Sequence, residues 1–465
     1  MDNQTRQLIV IGAGPGGYAA AFHAANLGLK VTLIDKEENP GGVCLYRGCI
    51  PSKVLLHAAK VIKEAQHAKA WGLHFNSPEI NTDQLREWKN QVVSRLTRGL
   101  GSLSKKRKVE YIQGTAQFVN SQTLRVQPLE GDAAEIPFEN AIIAAGTSIA
   151  YLPHISMDSD RIMDSDESLE VRDIPQSLLV IGGGYIGLEQ ANIYGRLGSK
   201  VTVVEMMDQM LPGLDDDLMA VLRKSMDEYL ENVMLGTKVT RVEETAEGVK
   251  VWFEGKEAGE QTFDKILVSV GRKPNTGQIG LENTGVRLDQ RGYIKVDPQR
   301  RTDDARLFAI GDVTGAPLFA HKAAHEGRVA AHVIAGKQAA FDPKVIPFVE
   351  YTEMEAAGCG ITEKEAKAQG IDIKVAKFPW AASGRALTMG EDKGLTKLIF
   401  EKETGRLLGV GIVGADAGKL ISEGALAVEM AAVAEDLAHT IHPHPTLSEM
   451  MMEAAEIYLG GSIHL

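Results

Sequence analysis

Residues 8–35 read "LIVIGAGPGGYAAAFHAANLGLKVTLID", and the pattern returns 170 positions later as "LLVIGGGYIGLEQANIYGRLGSKVTVVE", residues 178–205. Gly12, Gly14 and Gly17 fall on Gly182, Gly184 and Gly187, Gly28 falls on Gly198, and Asp35 falls on Glu205. Each copy is an apolar run, a glycine turn, a helical stretch and a second apolar run that ends in an acid. In that context G-x-G-x-x-G predicts a dinucleotide-binding βαβ unit. The first glycine makes the tight turn, the second lets backbone approach a pyrophosphate, and the third lets the helix pack on the sheet. The helix start then offers N–H groups and a positive dipole end to the phosphates.

Two such units predict two dinucleotides. A flavin and a nicotinamide are the natural pair, because a flavin exchanges a hydride with the nicotinamide and electrons with a disulfide. Glu205 would accept from a ribose 2′-hydroxyl and repel a 2′-phosphate, and Met206 and Met207 beside it offer no cation, so the expected nucleotide is NAD rather than NADP. Three further apolar runs end at candidate ligand positions: "AIIAAGTS" at Gly146, "KILVSVGRKPN" at Gly271 and "LFAIGD" at Asp312.

Two of only three cysteines lie in "GGVCLYRGCIPSK", residues 41–53, on what reads as one short glycine-rich turn. A metal site, a structural disulfide and a redox disulfide are the three chemistries open to them. Two cysteines without further thiols or imidazoles nearby do not make a structural zinc site, which takes four ligands, so no metal is expected. The N-terminus shows no secretory pattern and no apolar run long enough for a membrane span. A cytoplasmic protein follows, and there a disulfide is more often catalytic than structural. Pro51 and the periodic run after it place Cys49 at a helix N-terminus, where a thiolate is stabilised. Cys359 has no sequence neighbour to pair with and reads as a buried small residue.

The chain of 465 residues carries a net charge of −12, with 44% hydrophobic and 24% charged residues. Its length predicts several domains. The short basic run "KKRK" at 105–108 is too small for a nucleic-acid surface, so neither nucleic acid nor membrane is expected as a partner. Near the C-terminus, "HTIHPHPTLSEMMMEAAE" holds His442 and His444 between prolines, with Glu449 at the predicted start of a helix. These are either a carboxylate-supported imidazole base or satisfied structural histidines. "TKLIFEKETGRLLGVGIVG" predicts two strands joined at Thr404-Gly405, and "GKLISEGALAVEMAAV" predicts an amphipathic helix.

With "GAGPGG", "GGVCLYRGCIPSK", "GGGYIGLE", "AIGD", "AHKAAHEG" and "HPHPTLSE" in this order, the chain resembles the flavin-dependent pyridine nucleotide-disulfide oxidoreductases over essentially its whole length. The resemblance implies an α/β fold with two Rossmann-like domains, for FAD and NAD, and a C-terminal α+β dimerisation domain. Expected limits are 1–150 with 275–345 for FAD, 151–274 for NAD and 346–465 for the interface.

It also implies roles. Cys49 would stand next to the flavin and Cys44 would exchange with substrate. Lys53 and Glu189 would pair beside the flavin and nicotinamide. Asp312 would bind the flavin's ribityl chain, with Ala116 and Ala320 also at FAD. Val239 and Gly271 would line the NAD site. His444, held by Glu449, would act on the disulfide of the other subunit of a homodimer. The implied reaction is oxidation of dihydrolipoamide on a lipoylated carrier protein of a 2-oxo acid dehydrogenase complex, the glycine-cleavage system or a similar assembly. The alternatives are an NAD(P)H-dependent reductase of a small disulfide such as glutathione, and a non-catalytic flavoprotein. Two positions depart from the family pattern. Tyr46-Arg47 stands where Asn-Val is common, and Arg47 is expected to add positive charge near the thiols. Tyr185 is more like glutathione reductase, where a tyrosine can cover the nicotinamide pocket.

Overall fold

A computed structural model describes residues 6–465. It divides into two compact units, the first containing residues up to Val54, Asn81–Ala150 and Gly271–Asp342, and the second Leu55–Ile80, Tyr151–Val270 and Pro343–Leu465.

The first unit is built on Arg6–Ile11. Parallel neighbours extend it in the order Glu110–Asn120, Val31–Asp35, Arg6–Ile11, Ala134–Ile143, Leu307–Ala309. Crossover connections bury both faces of such a sheet, which is why "LIVI" is apolar throughout instead of alternating. Leu8 and Val10 face a layer that includes Ala20, Ala24, Val329 and Ala330 from helices Pro15–Asn26 and Ala320–Ile334. Ile9 and Ile11 face the other side, where Phe118, Leu124, Val126 and Phe138 of an antiparallel meander through Thr123–Pro128 fill the space.

In the second unit the repeat builds a parallel sheet in the order Asn232–Met234, Lys200–Val204, Ser177–Ile181, Lys265–Val268, Ile162–Asp164. Helix Tyr185–Leu197 follows its glycine turn, as Pro15–Asn26 does in the first copy. The same unit carries a five-stranded antiparallel sheet with Leu395–Glu401 and Leu407–Gly414 paired at its centre, their connection passing through Gly405 at φ +69°. Helices Ala417–Glu429 and Glu449–Leu459 pack their buried residues into the core of this sheet. The predicted hairpin and both helices are therefore present. Cys359 is buried in the same core, and burial pushes its thiol up to about 12. Among the described residues no helix is long and apolar enough to cross a membrane.

Candidate active site

The two glycine turns repeat down to single hydrogen bonds. Gly12 N–H donates to Ile34 O at 2.8 Å, and Gly182 N–H to Val204 O at 2.9 Å. Asp35 accepts from the N–H groups of Ala13 (2.6 Å) and Glu37 (3.0 Å), and Glu205 from those of Gly183 (2.7 Å) and Met207 (2.8 Å). In each copy the acid thus braces the turn it follows.

A side chain on Gly12 would collide with Ala144 O, and one on Gly182 with Ser269 O; both glycines also have positive φ. Gly17 and Gly187 are pressed against Gly12 O and Gly182 O. The middle glycines differ. A Cβ on Gly184 would meet nothing within 4 Å, and one on Gly14 only Gly42 Cα at 3.9 Å. Both helices start at these glycines with no side-chain cap. Uncapped N–H groups facing open space beside a bare backbone fit a pyrophosphate at each turn.

The dithiol segment differs from the expected open turn. Gly42–Arg47 is a short helix, Gly48 breaks it, and a new helix runs Cys49–His67. Gly48 is needed because a Cβ there would come within 3.1 Å of Val43 O and 3.3 Å of Cys44 Cα. Cys49 is the first residue of the long helix, as expected. The structure holds both cysteines as thiols, Cys44 half-buried and Cys49 exposed. The two side chains lie within hydrogen-bonding reach of each other. That hydrogen bond, and then burial, push the Cys44 thiol far up, against the opposing charge of Lys53.

Arg47 does not act as free positive charge beside the thiols. Its Nη1 lies 2.7 Å from Glu37 Oε1, because the loop after Val31–Asp35 brings that carboxylate alongside. Tyr46 ties the same loop, donating to Asn39 O (3.1 Å) and accepting from Asn39 N–H (3.2 Å).

The remaining flavin candidates also lie in the first unit. Asp312 follows strand Leu307–Ala309 and accepts from Thr147 Oγ1 at 2.9 Å. Ala116 is a buried strand residue, Ala320 opens the helix Ala320–Ile334, and Gly146 has φ +69° with open space where a Cβ would sit. Gly271, with φ +116°, belongs to this unit as well, and its carbonyl accepts from Ala150 N–H. Two residues not singled out from the sequence join the set. Thr147 holds Asp312, and Tyr18, one turn into the first helix, has its hydroxyl pushed up by burial and then by Cys44 and Cys49. Only the position of Tyr18 after the third glycine could have pointed to it.

Gly182, Gly184, Gly187, Glu205, Glu189 and Val239 lie in the second unit, Glu189 buried in Tyr185–Leu197 and Val239 buried in Thr237–Thr245. Tyr185 packs its ring edge-on against Phe348 at 6.1 Å, part of the hydrophobic layer around the parallel sheet. Burial, then Glu350, push its hydroxyl up.

The C-terminal histidines separate into two kinds. His442 uses both nitrogens, Nε2 on Glu423 Oε1 (2.7 Å) and Nδ1 on Thr440 O (2.8 Å). His444 uses one, Nδ1 on Glu449 Oε1 (2.8 Å), and its side chain is 78% exposed. Glu449 opens its helix and also accepts from Thr446 N–H at 2.6 Å. Burial works to raise its carboxyl, but the Thr446 N–H and the imidazole outweigh it and hold the group below the ordinary value.

Residues 6–327 match the sequence profile of the pyridine nucleotide-disulphide oxidoreductases, and residues 346–455 that of the family's dimerisation domain. The chain is 49% identical to the dihydrolipoyl dehydrogenase of Haemophilus influenzae, over 98% of this chain and 95% of that one. It is equally 49% identical to that of Vibrio cholerae, over 98% and 96%. The crystal structure of LpdA from Mycobacterium tuberculosis superposes with a TM-score of 0.91 at 26% identity, covering 97% of this chain and 99% of the other. Identity at this level over the full length fixes architecture and chemistry together: the chain belongs to the pyridine nucleotide-disulphide oxidoreductase family, flavoenzymes that work with FAD and NAD.

Proposed function

We propose that the protein oxidises dihydrolipoamide, carried on a lipoylated partner protein, to lipoamide with NAD+ as acceptor. The observation that carries this reading is the His444–Glu449 pair: an exposed imidazole with one nitrogen fixed by a carboxylate and the other open, in the domain that dimerises. His444 of one subunit then serves the Cys44–Cys49 pair of the other, so the working unit is a homodimer, in the cytoplasm.

In the oxidised enzyme Cys44 and Cys49 are joined. His444 Nε2 takes the proton of a substrate thiol, and the thiolate attacks the Cys44 sulfur, breaking the disulfide and releasing Cys49 as thiolate. The second substrate thiol attacks the first substrate sulfur, closing lipoamide and releasing Cys44. Two electrons now reside in the dithiol, with Cys44 inward and protonated and Cys49 at the helix start. Bound FAD would supply the two-electron chemistry that links this dithiol to NAD+.

Gly12, Gly14, Gly17 and Asp35 hold the flavin nucleotide, with Asp312, Ala116, Gly146, Ala320 and Lys53 along the rest of it. Gly182, Gly184, Gly187 and Glu205 hold NAD, with Tyr185, Val239 and Gly271 around it. Glu189 stands with the nicotinamide set. Domain limits of 1–150 with 275–345, 151–274 and 346–465 belong to the same reading.

The test is a side-by-side assay of FAD-loaded protein with dihydrolipoamide and NAD+, and with glutathione disulfide and NADPH. Rapid NADH formation that Cys44→Ser abolishes, with flavin content unchanged, is the expected result. Faster turnover of the glutathione pair, or activity retained in Cys44→Ser, overturns the reading.

A further inference from the structure

The motif "AHKAAHEG", residues 320–327, carries two charged side chains outside the thiol chemistry, Lys322 and Glu326. Both are buried, Glu326 completely. Their helix cannot shift to expose them, because Gly327 packs directly on Gly16 and Ala20, where a Cβ would come within 2.6 Å of Gly16 O. Buried charges demand partners, and each of these two has a backbone partner on one loop. Glu326 Oε2 accepts from Gly311 N–H at 2.6 Å, while Oε1 meets Arg300 Nη1 at 2.8 Å and Lys322 Nζ at 3.3 Å. Lys322 Nζ donates to Gly315 O at 2.9 Å. Arg300 adopts φ +65°, a costly conformation for a long side chain, with its guanidinium over the Phe341 ring at 5.0 Å.

One helix therefore grips both ends of the segment Gly311–Gly315. Ala323 of that helix closes the inner side, 3.1 Å from where a Gly311 Cβ would lie. Asp312 sits inside the gripped segment. Its carboxylate accepts from Thr147 Oγ1, and Thr147 is itself fixed by Arg272 through Oγ1 (2.8 Å) and the backbone carbonyl (2.7 Å).

We propose that Glu326 is a positioning residue for flavin binding: it sets the Gly311–Gly315 segment and, through it, the Asp312 carboxylate. This rests on the reading of Asp312 as a flavin ligand. Charge-assisted hydrogen bonds in a buried site are strong enough to fix a loop before the ligand arrives.

The test is a double-mutant cycle on FAD affinity, read by flavin fluorescence on the full-length apo-protein. Glu326→Gln is expected to raise the FAD Kd about tenfold or more, and less than about twofold in an Asp312→Ala background. No effect in the first background, or the same fold-change in both, overturns the positioning role, because a general structural defect does not depend on Asp312. An Asp312→Ala protein that binds FAD like the wild type removes the reading of Asp312, and the proposal with it. Loss of affinity in Asp312→Ala with none in Glu326→Gln removes the proposal alone. If Glu326→Gln does not fold, Lys322→Gln, which frees Gly315 O from the same helix, runs the same cycle with the same outcomes.

Discussion

His444 Nδ1 lies 2.8 Å from Glu449 Oε1, and the same carboxylate's second oxygen accepts from Thr446 N–H. A carboxylate only accepts, so the proton of a neutral imidazole sits on Nδ1 and Nε2 is the basic nitrogen. His442, two residues earlier, has both nitrogens engaged and offers none.

His444→Gln is therefore expected to slow dihydrolipoamide oxidation about 10²–10⁴-fold, the range of a positioned acid–base group. Flavin content should not change. Glu449→Gln costs less, because the imidazole stays and loses only its charged support. If the site is shared between subunits, mixing His444→Gln with Cys44→Ser chains restores part of the activity. Proven subunit exchange without restored activity would assign His444 to its own chain.

The proposed choice of NAD over NADP rests on Glu205. Its two hydrogen bonds to Gly183 and Met207 fix the carboxylate at the glycine turn. kcat/KM should favour NAD over NADP by about 100-fold or more, roughly 3 kcal/mol. Glu205→Gln keeps an acceptor for the Gly183 N–H and removes the charge, so it should cut that preference to within about tenfold. An unchanged ratio would place discrimination elsewhere.

The thiols should differ in reactivity. Cys49 is exposed, and the Cys44 thiol is pushed up by its hydrogen bond to Cys49 and by burial. Iodoacetamide should label Cys49 of the reduced apo-protein at least about tenfold faster than Cys44, since the thiolate is the reactive form. Bound FAD should protect Cys49 and shift labelling to Cys44. Mass spectrometry of the labelled peptides reads both. The same preference with and without FAD would contradict the placement of Cys49 beside the flavin.

Lys397, 1% exposed, meets Asp215 at 2.8 Å and Asp217 at 2.9 Å, and also pairs with Glu363. Burial works against its charge, but the three carboxylates outweigh it and hold the ammonium above its ordinary value. Asp217 is also opposed by burial, yet Lys377 and Lys397 hold it below its ordinary value. A depressed carboxylate stabilises above its unfolded pKa and loses that contribution as pH falls through the folded one. A raised lysine stabilises below its unfolded pKa and loses the contribution as pH rises through the folded one. The cluster should thus be intact across the neutral range. Lys397→Met should cost about 3 kcal/mol near pH 7, because it strands the buried Asp215 carboxylate, whereas the more exposed Asp217 and Glu363 keep Lys377. The penalty should shrink in acid as the carboxylates protonate. Urea unfolding at both pH values measures it, and an equal penalty at both would refute the ionic origin.

The sequence by itself determined the paired βαβ glycine turns, the placement of Cys49 at a helix start, and the strands and helices of the C-terminal domain. These are short-range properties. Gly17 is required by the Gly12 carbonyl five residues away and Gly12 by its own positive φ, and the acid closing each βαβ unit is set by the length of one helix and one strand. Only the tertiary structure decided which charges are free. Arg47 reads as an unpaired cation until the loop after Asp35 brings Glu37 to it. His442 and His444 look alike until Glu423 is found on one and Glu449 on the other. Tyr185 lies within a nucleotide motif, yet its ring is claimed by Phe348, 163 positions along the chain. Thr147 and Asp312, 165 positions apart, meet because two parallel strands end side by side. Backbone conformation and periodicity follow from neighbouring residues, whereas the partner of a buried charge follows from how distant segments dock, and no local pattern encodes that.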